Sequence, residues 1–154
     1  MTRRLVLTAI LAFAASGCAG RLRPGGGDGG PPSSFVRTTA DARTTRVIPM
    51  RDGLTKAQSW RILGDALAAA HTLDVRDQQA GFIMTAWETS VAREGVPDLR
   101  YRTRIVTRFL GDDWRELQLR VEANWRSGEE WDVGVDQALL DTLATELTTK
   151  LGRR

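Results

Sequence analysis

Arg100-Tyr-Arg-Thr-Arg-Ile-Val-Thr-Arg-Phe-Leu-Gly-Asp-Asp-Trp-Arg-Glu-Leu-Gln-Leu-Arg-Val-Glu-Ala-Asn-Trp125 decides the fold. Tyr101, Thr103, Ile105, Thr107 and Phe109 alternate with Arg100, Arg102, Arg104, Val106 and Arg108. After Gly111-Asp112-Asp113 a second alternation sets Leu117, Leu119, Val121, Ala123 and Trp125 against Glu116, Gln118, Arg120, Glu122 and Asn124. A period of two is that of a strand with one buried face. Residues that face each other in a hairpin share a face, so the turn must keep the apolar sets together. A three-residue loop over Gly111–Asp113 pairs Ile105 with Leu119 and Thr103 with Val121. On the other face it sets Arg108 against Glu116, Arg102 against Glu122 and Arg104 against Arg120. Three- and five-residue loops keep the same faces, whereas a two-residue turn mixes them.

Working outward, Gly81–Thr89 reads as a strand whose Gly81-Phe-Ile-Met-Thr-Ala-Trp87 has apolar groups on both faces, as a central strand would, and Thr72–Val75 precedes it as a further strand. Arg93–Leu99, with Gly95 and Pro97, reads as a loop. Thr55-Lys-Ala-Gln58 has the form of a capping box. Behind it Trp60, Leu63, Leu67 and Ala70 recur at helical spacing, Gly64 implies a close neighbour, and His71 falls at the helix end. Thr44–Met50 reads as a short edge strand because Pro49 lacks a ladder donor. Beyond the hairpin, Asp136 is a good N-cap for a helix striped by Leu139, Leu140, Leu143, Leu147 and Leu151, with Gly152 as its stop. The order implies an α+β fold: an antiparallel four- to five-stranded sheet packed on one face by two helices, over residues 44–152.

The amino-terminal part is of another kind. Arg3 and Arg4, the apolar run Leu5–Ala15 and the small residues Ser16-Gly17 before Cys18 have the parts of a secretory signal over residues 1–17. The run is about half of the ~20 residues that span a bilayer. Residues 18–43, with Arg23-Pro-Gly-Gly-Gly-Asp-Gly-Gly-Pro-Pro32, read as a flexible tether. Their Gly run lacks the Gly-Lys-Ser/Thr ending of a phosphate loop. The 154 residues carry Lys+Arg 22 and Asp+Glu 19, a net of +3. Setting residues 1–17 aside removes two arginines and leaves +1. One Cys and one His exclude a disulfide framework and a Cys/His zinc quartet. Near-neutral charge and export disfavour nucleic acid.

Ala15-Ser16-Gly17-Cys18 resembles the bacterial lipoprotein lipobox, with Ala15 where Leu is preferred. The resemblance implies cleavage before Cys18, a diacylglycerol thioether on it and an acylated amino terminus, so that the chain meets the membrane through lipid. Ala19, where Asp would mean inner-membrane retention, implies the periplasmic face of the outer membrane. The element order, with Trp60 and Leu67 on the helix before Gly-x-Ile-x-Thr-x-Trp, is similar to the helix-grip modules of the outer-membrane assembly lipoprotein family BamC (NlpB). That family carries two modules where this chain has room for one. The resemblance implies a non-enzymatic adaptor with an envelope protein partner.

Five Trp are many for this length. Most are expected in the core. Trp114, outward by parity beside the turn, and Trp131, in a loop after Glu129-Glu130, are the candidates for a binding surface. Arg104 and Arg120, unpaired in the inferred register, are the candidates for an anion contact. The acids Asp112, Asp113, Glu129, Glu130 and Asp132 show no metal-ligand spacing, so no metal and no cofactor is expected. His71 has no visible catalytic partner. The alternative to an adaptor is a module holding a lipid or other small apolar ligand between sheet and helices.

Overall fold

The computed structural model describes residues 30–39, 44–91 and 97–153. In chain order the elements are β1 (Phe35–Arg37), β2 (Thr45–Pro49), α1 (Lys56–Ala68), β3 (Leu73–Asp77), β4 (Phe82–Thr85), β5 (Glu88–Val91), β6 (Pro97–Leu110), β7 (Glu116–Ser127), β8 (Glu130–Asp136) and α2 (Gln137–Leu151). The fold is α+β, with an antiparallel sheet of eight strands and two helices. The signal segment, Cys18 and the start of the tether lie outside the described residues.

The β6–β7 hairpin is the spine. Each of its long strands pairs along its outer edge with two short ones. β7 takes β2 near the turn and β8 further on; β6 takes β4 near the turn and β5 further on. β3 adds to β4 and β1 to β8. A section across the hairpin therefore meets five strands at either end, although the sheet holds eight. The expected count was too low because one run that reads as a single strand is divided and two further strands come from residues read otherwise. Gly81–Thr89 breaks at Ala86-Trp87 into β4 and β5. Residues assigned to tether or loop supply the other two, β1 at Phe35–Arg37 and β8 at Glu130–Asp136, and Pro97–Leu99 lengthen β6. Phe35 is buried edge-on against Tyr101, with ring centroids 6.1 Å apart. That contact draws into the fold a segment too short and too polar in its surroundings to read as a strand alone.

The hairpin keeps the predicted faces but shifts its register by two residues. Ile105 pairs with Val121, Phe109 with Leu117 and Arg104 with Glu122, closed by the five-residue turn Gly111–Arg115. The expected pairing of Arg104 with Arg120 is thus replaced by an attractive one, and Arg108 faces Gln118 rather than Glu116. Trp114 is the physical reason. It sits at φ 56° within the wider turn and folds inward, stacking on Phe109 at 4.3 Å between centroids with only 3° between planes.

The odd-numbered hairpin residues Ile105, Phe109, Leu117, Leu119 and Val121 are at most 4% exposed and share one core with Trp60, Leu63 and Leu67 of α1 and Leu140, Leu143, Leu147 and Leu151 of α2. The helices do not contribute equally. α2 lies against β2, β7 and β8, while α1 packs beside α2 and reaches the hairpin through Trp60, 6.3 Å from Trp114. Thr55 accepts from the Gln58 amide and Gln58 returns the bond to the Thr55 amide, completing the capping box. Asp136 caps α2 by accepting from the Leu139 amide at 3.0 Å. Its other carboxylate oxygen accepts the Tyr101 hydroxyl at 2.8 Å, tying the sheet to the helix start. Burial and that carboxylate hold the Tyr101 hydroxyl well above its usual range.

Candidate functional site: an arginine–tryptophan face

The even-numbered side chains of β6 and β7 stand on the other side of the sheet, away from that core. In the hairpin the even positions carry Arg100, Arg102, Arg104, Arg108, Arg120 and Arg126 against Asp98, Glu116 and Glu122, with Arg100 paired to Asp98. Neighbouring strands add Phe82 and Met84 from β4, opposite Arg108 and Val106, and Trp131 and Val133 from β8, opposite Arg126 and Asn124. Trp87, in the break between β4 and β5, reaches the same face.

Arg102 is its centre. The guanidinium carbon lies 4.7 Å from the Trp87 ring on the β5 side and 4.3 Å from the Trp131 ring on the β8 side. The strand order β5-β6-β7-β8 places it between the two indoles. A planar, weakly hydrated guanidinium suits such stacking, and each contact contributes about 0.5–2 kcal/mol as water is excluded. Its Nε is buried and, among the described residues, has no hydrogen-bond partner. A buried, unpartnered donor on a charged group is costly, and an acceptor brought to this face would relieve that cost.

Arg104 also lies over Trp87 at 4.6 Å and donates from Nε to Glu122 at 2.6 Å. Glu122 also takes Arg120 at 3.3 Å, so one carboxylate serves two arginines. Arg108 lies over Phe82 at 5.6 Å and Arg126 over Trp131 at 6.0 Å; among the described residues neither has an acidic partner. The face therefore keeps a positive excess around an aromatic strip.

The sequence candidates are distributed unevenly around this site. Trp131 belongs to it, but from within β8 rather than from a loop. Arg104 and Arg120 belong to it as partners of Glu122, not as an unpaired couple. Trp114 does not: it is 9% exposed and walled by Phe109, Trp60 and Gly81, on the opposite side of the sheet. Parity misplaced it because parity applies only to extended residues, and Trp114 is in a turn at positive φ. Trp87 and Arg102 escaped the sequence reading. Trp87 was grouped with the core tryptophans, although the apolar groups on both faces of Gly81–Trp87 were the available signal. Arg102 was set against Glu122 by the register two residues away.

His71 lies beyond α1, its Nδ1 2.8 Å from Glu88 Oε2, while Glu88 Oε1 accepts from the Thr72 amide. This joins the helix end to β5. Asp113 pairs with Arg115 and Asp132 with Arg37, so these two loop acids sit in separate ion pairs. Cys18 lies outside the described residues. Gly64 meets the flexible end of the Arg76 side chain, not a neighbouring backbone. No family model matches the chain, and no curated protein matches it.

Proposed function

We propose that the chain is a lipid-anchored lipoprotein on the periplasmic face of the outer membrane, acting as a non-enzymatic adaptor in outer-membrane protein assembly. It offers the arginine–tryptophan face of its sheet to an acidic envelope component. One observation carries the assignment of the face: Arg102 is held between Trp87 and Trp131 with its Nε buried and, among the described residues, unpaired. Such a group is arranged before any partner arrives, so little side-chain ordering is left to oppose binding. The layer between sheet and helices is filled by Leu63, Leu67, Ile83, Ile105, Leu117 and Leu140, each at most 1% exposed. That packing favours contact through a surface over a ligand held inside.

The test is a photo-crosslinking side chain at Val133, 58% exposed beside Trp131, introduced in intact cells. The expected result is one dominant adduct with an envelope component, lost when Arg102→Ala is added. An adduct pattern indifferent to Arg102, or none at all, refutes this use of the face.

A further inference from the structure

Resting on the adaptor reading, we infer that the component met by the arginine–tryptophan face is the anionic headgroup layer of the membrane to which Cys18 attaches. The domain then lies with its sheet on the bilayer and its helices outward. Charge is the first argument. Six arginines stand against three acidic residues at the even positions of the hairpin, and Arg108 and Arg126 are exposed, lying over the Phe82 and Trp131 rings. Phosphate oxygens fit guanidinium donors such as those of the exposed Arg108 and Arg126.

Apolar composition is the second argument. Trp131, Trp87, Phe82 and Met84 are half-buried among the arginines, and Val133 and Val47 are 58% and 49% exposed on the same face. Tryptophan settles at the headgroup level of bilayers, and arginine lays its stem along apolar surface while its head reaches phosphate. A small acidic ligand would leave this apolar strip in water.

Placement is the third. The strand order β1-β8-β7-β6 puts the tether's exit, at β1, beside the strand bearing Trp131 and Val133. Sixteen residues separate Cys18 from Phe35, and a chain of that length reaches at most about 58 Å even when fully extended. The anchor therefore keeps this edge of the sheet near the surface at high effective concentration, as the second element of a two-signal attachment. Face and edge thus agree on one occupant.

The experiment uses the full exported chain, purified from membranes and reconstituted through its own lipid into phosphatidylethanolamine vesicles with or without phosphatidylglycerol. Mass spectrometry first establishes the acyl groups on Cys18. Brominated acyl chains then read the depth of the tryptophans. The expected result is quenching that requires phosphatidylglycerol and weakens with salt. Arg108→Glu with Arg126→Glu, both at exposed positions, should lower the docked-to-undocked ratio at least about 25-fold, from roughly 5-fold per basic residue removed from an anionic surface. Thermal unfolding of that variant should remain a single cooperative transition, lowered only by the loss of two exposed cation–π contacts. Quenching that is equal without anionic lipid, or unchanged by the double reversal, overturns the inference. So does an anchored chain whose tryptophans are never quenched, or whose Val133 crosslinks in cells are to protein instead of lipid; both leave the adaptor reading standing. A Cys18 without lipid overturns the adaptor reading and this inference together.

Discussion

Replacing Trp114 by alanine separates a core residue from a surface anchor. The indole is 9% exposed, lies flat on Phe109 at 4.3 Å and abuts Trp60 at 6.3 Å. A buried aromatic side chain of this kind removes roughly 150–250 Å² from water, and at about 25 cal/mol per Å² its loss is worth some 4–6 kcal/mol. Alanine retains part of that, and the stack with Phe109 adds about 0.5–1.5 kcal/mol to what is lost. The expected cost is about 4 kcal/mol, inside the range of ~3–5 for Trp→Ala in cores. For a domain near 100 residues this lowers the melting temperature by roughly 20 °C. Trp114→Gly should cost up to about 1 kcal/mol less than Trp114→Ala, because the position sits at φ 56°, where glycine escapes the left-handed penalty. Urea unfolding followed by far-ultraviolet circular dichroism measures both; fluorescence would mix the changes with four other tryptophans. A loss below about 1 kcal/mol for Trp114→Ala would refute the stack as a stabilising contact. Alanine proving more stable than glycine would refute the left-handed turn.

Two further changes probe the joints of the sheet. The chain has one tyrosine, so phenolate absorbance at high pH reads Tyr101 alone. Its raised value means that the unfolded chain ionises near pH 10 while the native one keeps the proton. The associated stability is complete below about pH 10 and is lost as pH rises toward the native-state value; native absorbance titrating at the same pH as the urea-unfolded chain would disprove the Asp136 bond. Gly134→Ala would place a Cβ against the Val36 carbonyl oxygen and 2.5 Å from the Phe35 ring. It should cost about 1–3 kcal/mol and release β1. Hydrogen exchange at Thr38, whose amide donates to Val133 at 3.1 Å, should then quicken while the α1 amides stay protected. Unchanged protection at Thr38 would show that β1 tolerates the added methyl.

Much of the local order was legible in the chain itself. The period-two alternation on either side of Gly111-Asp112-Asp113 named the hairpin and sorted its two faces. The Thr55–Gln58 box and the Asp136 cap placed both helix starts, because caps are satisfied by residues three positions away. The register was not legible. Loops differing by two residues leave every side chain on the same face, so alternation cannot tell one from the other. The choice fell to Trp114, whose burial against Phe109 and Trp60 holds the wider turn. That single contact moved Arg104 from Arg120 to Glu122 and left Arg102 to the indoles.

By itself the sequence determined an α+β domain, with a two-faced hairpin as its spine and a basic row on one side. Periodicity and caps are properties of neighbours along the chain, and they need no third dimension. Tertiary structure alone decided which tryptophans form the surface. Trp87, Trp131 and Arg102 come from three segments whose meeting depends on strand order and register. Stacking is a contact between distant residues, and the basic row acquired its aromatic strip only when β8 and the β4–β5 break closed around it.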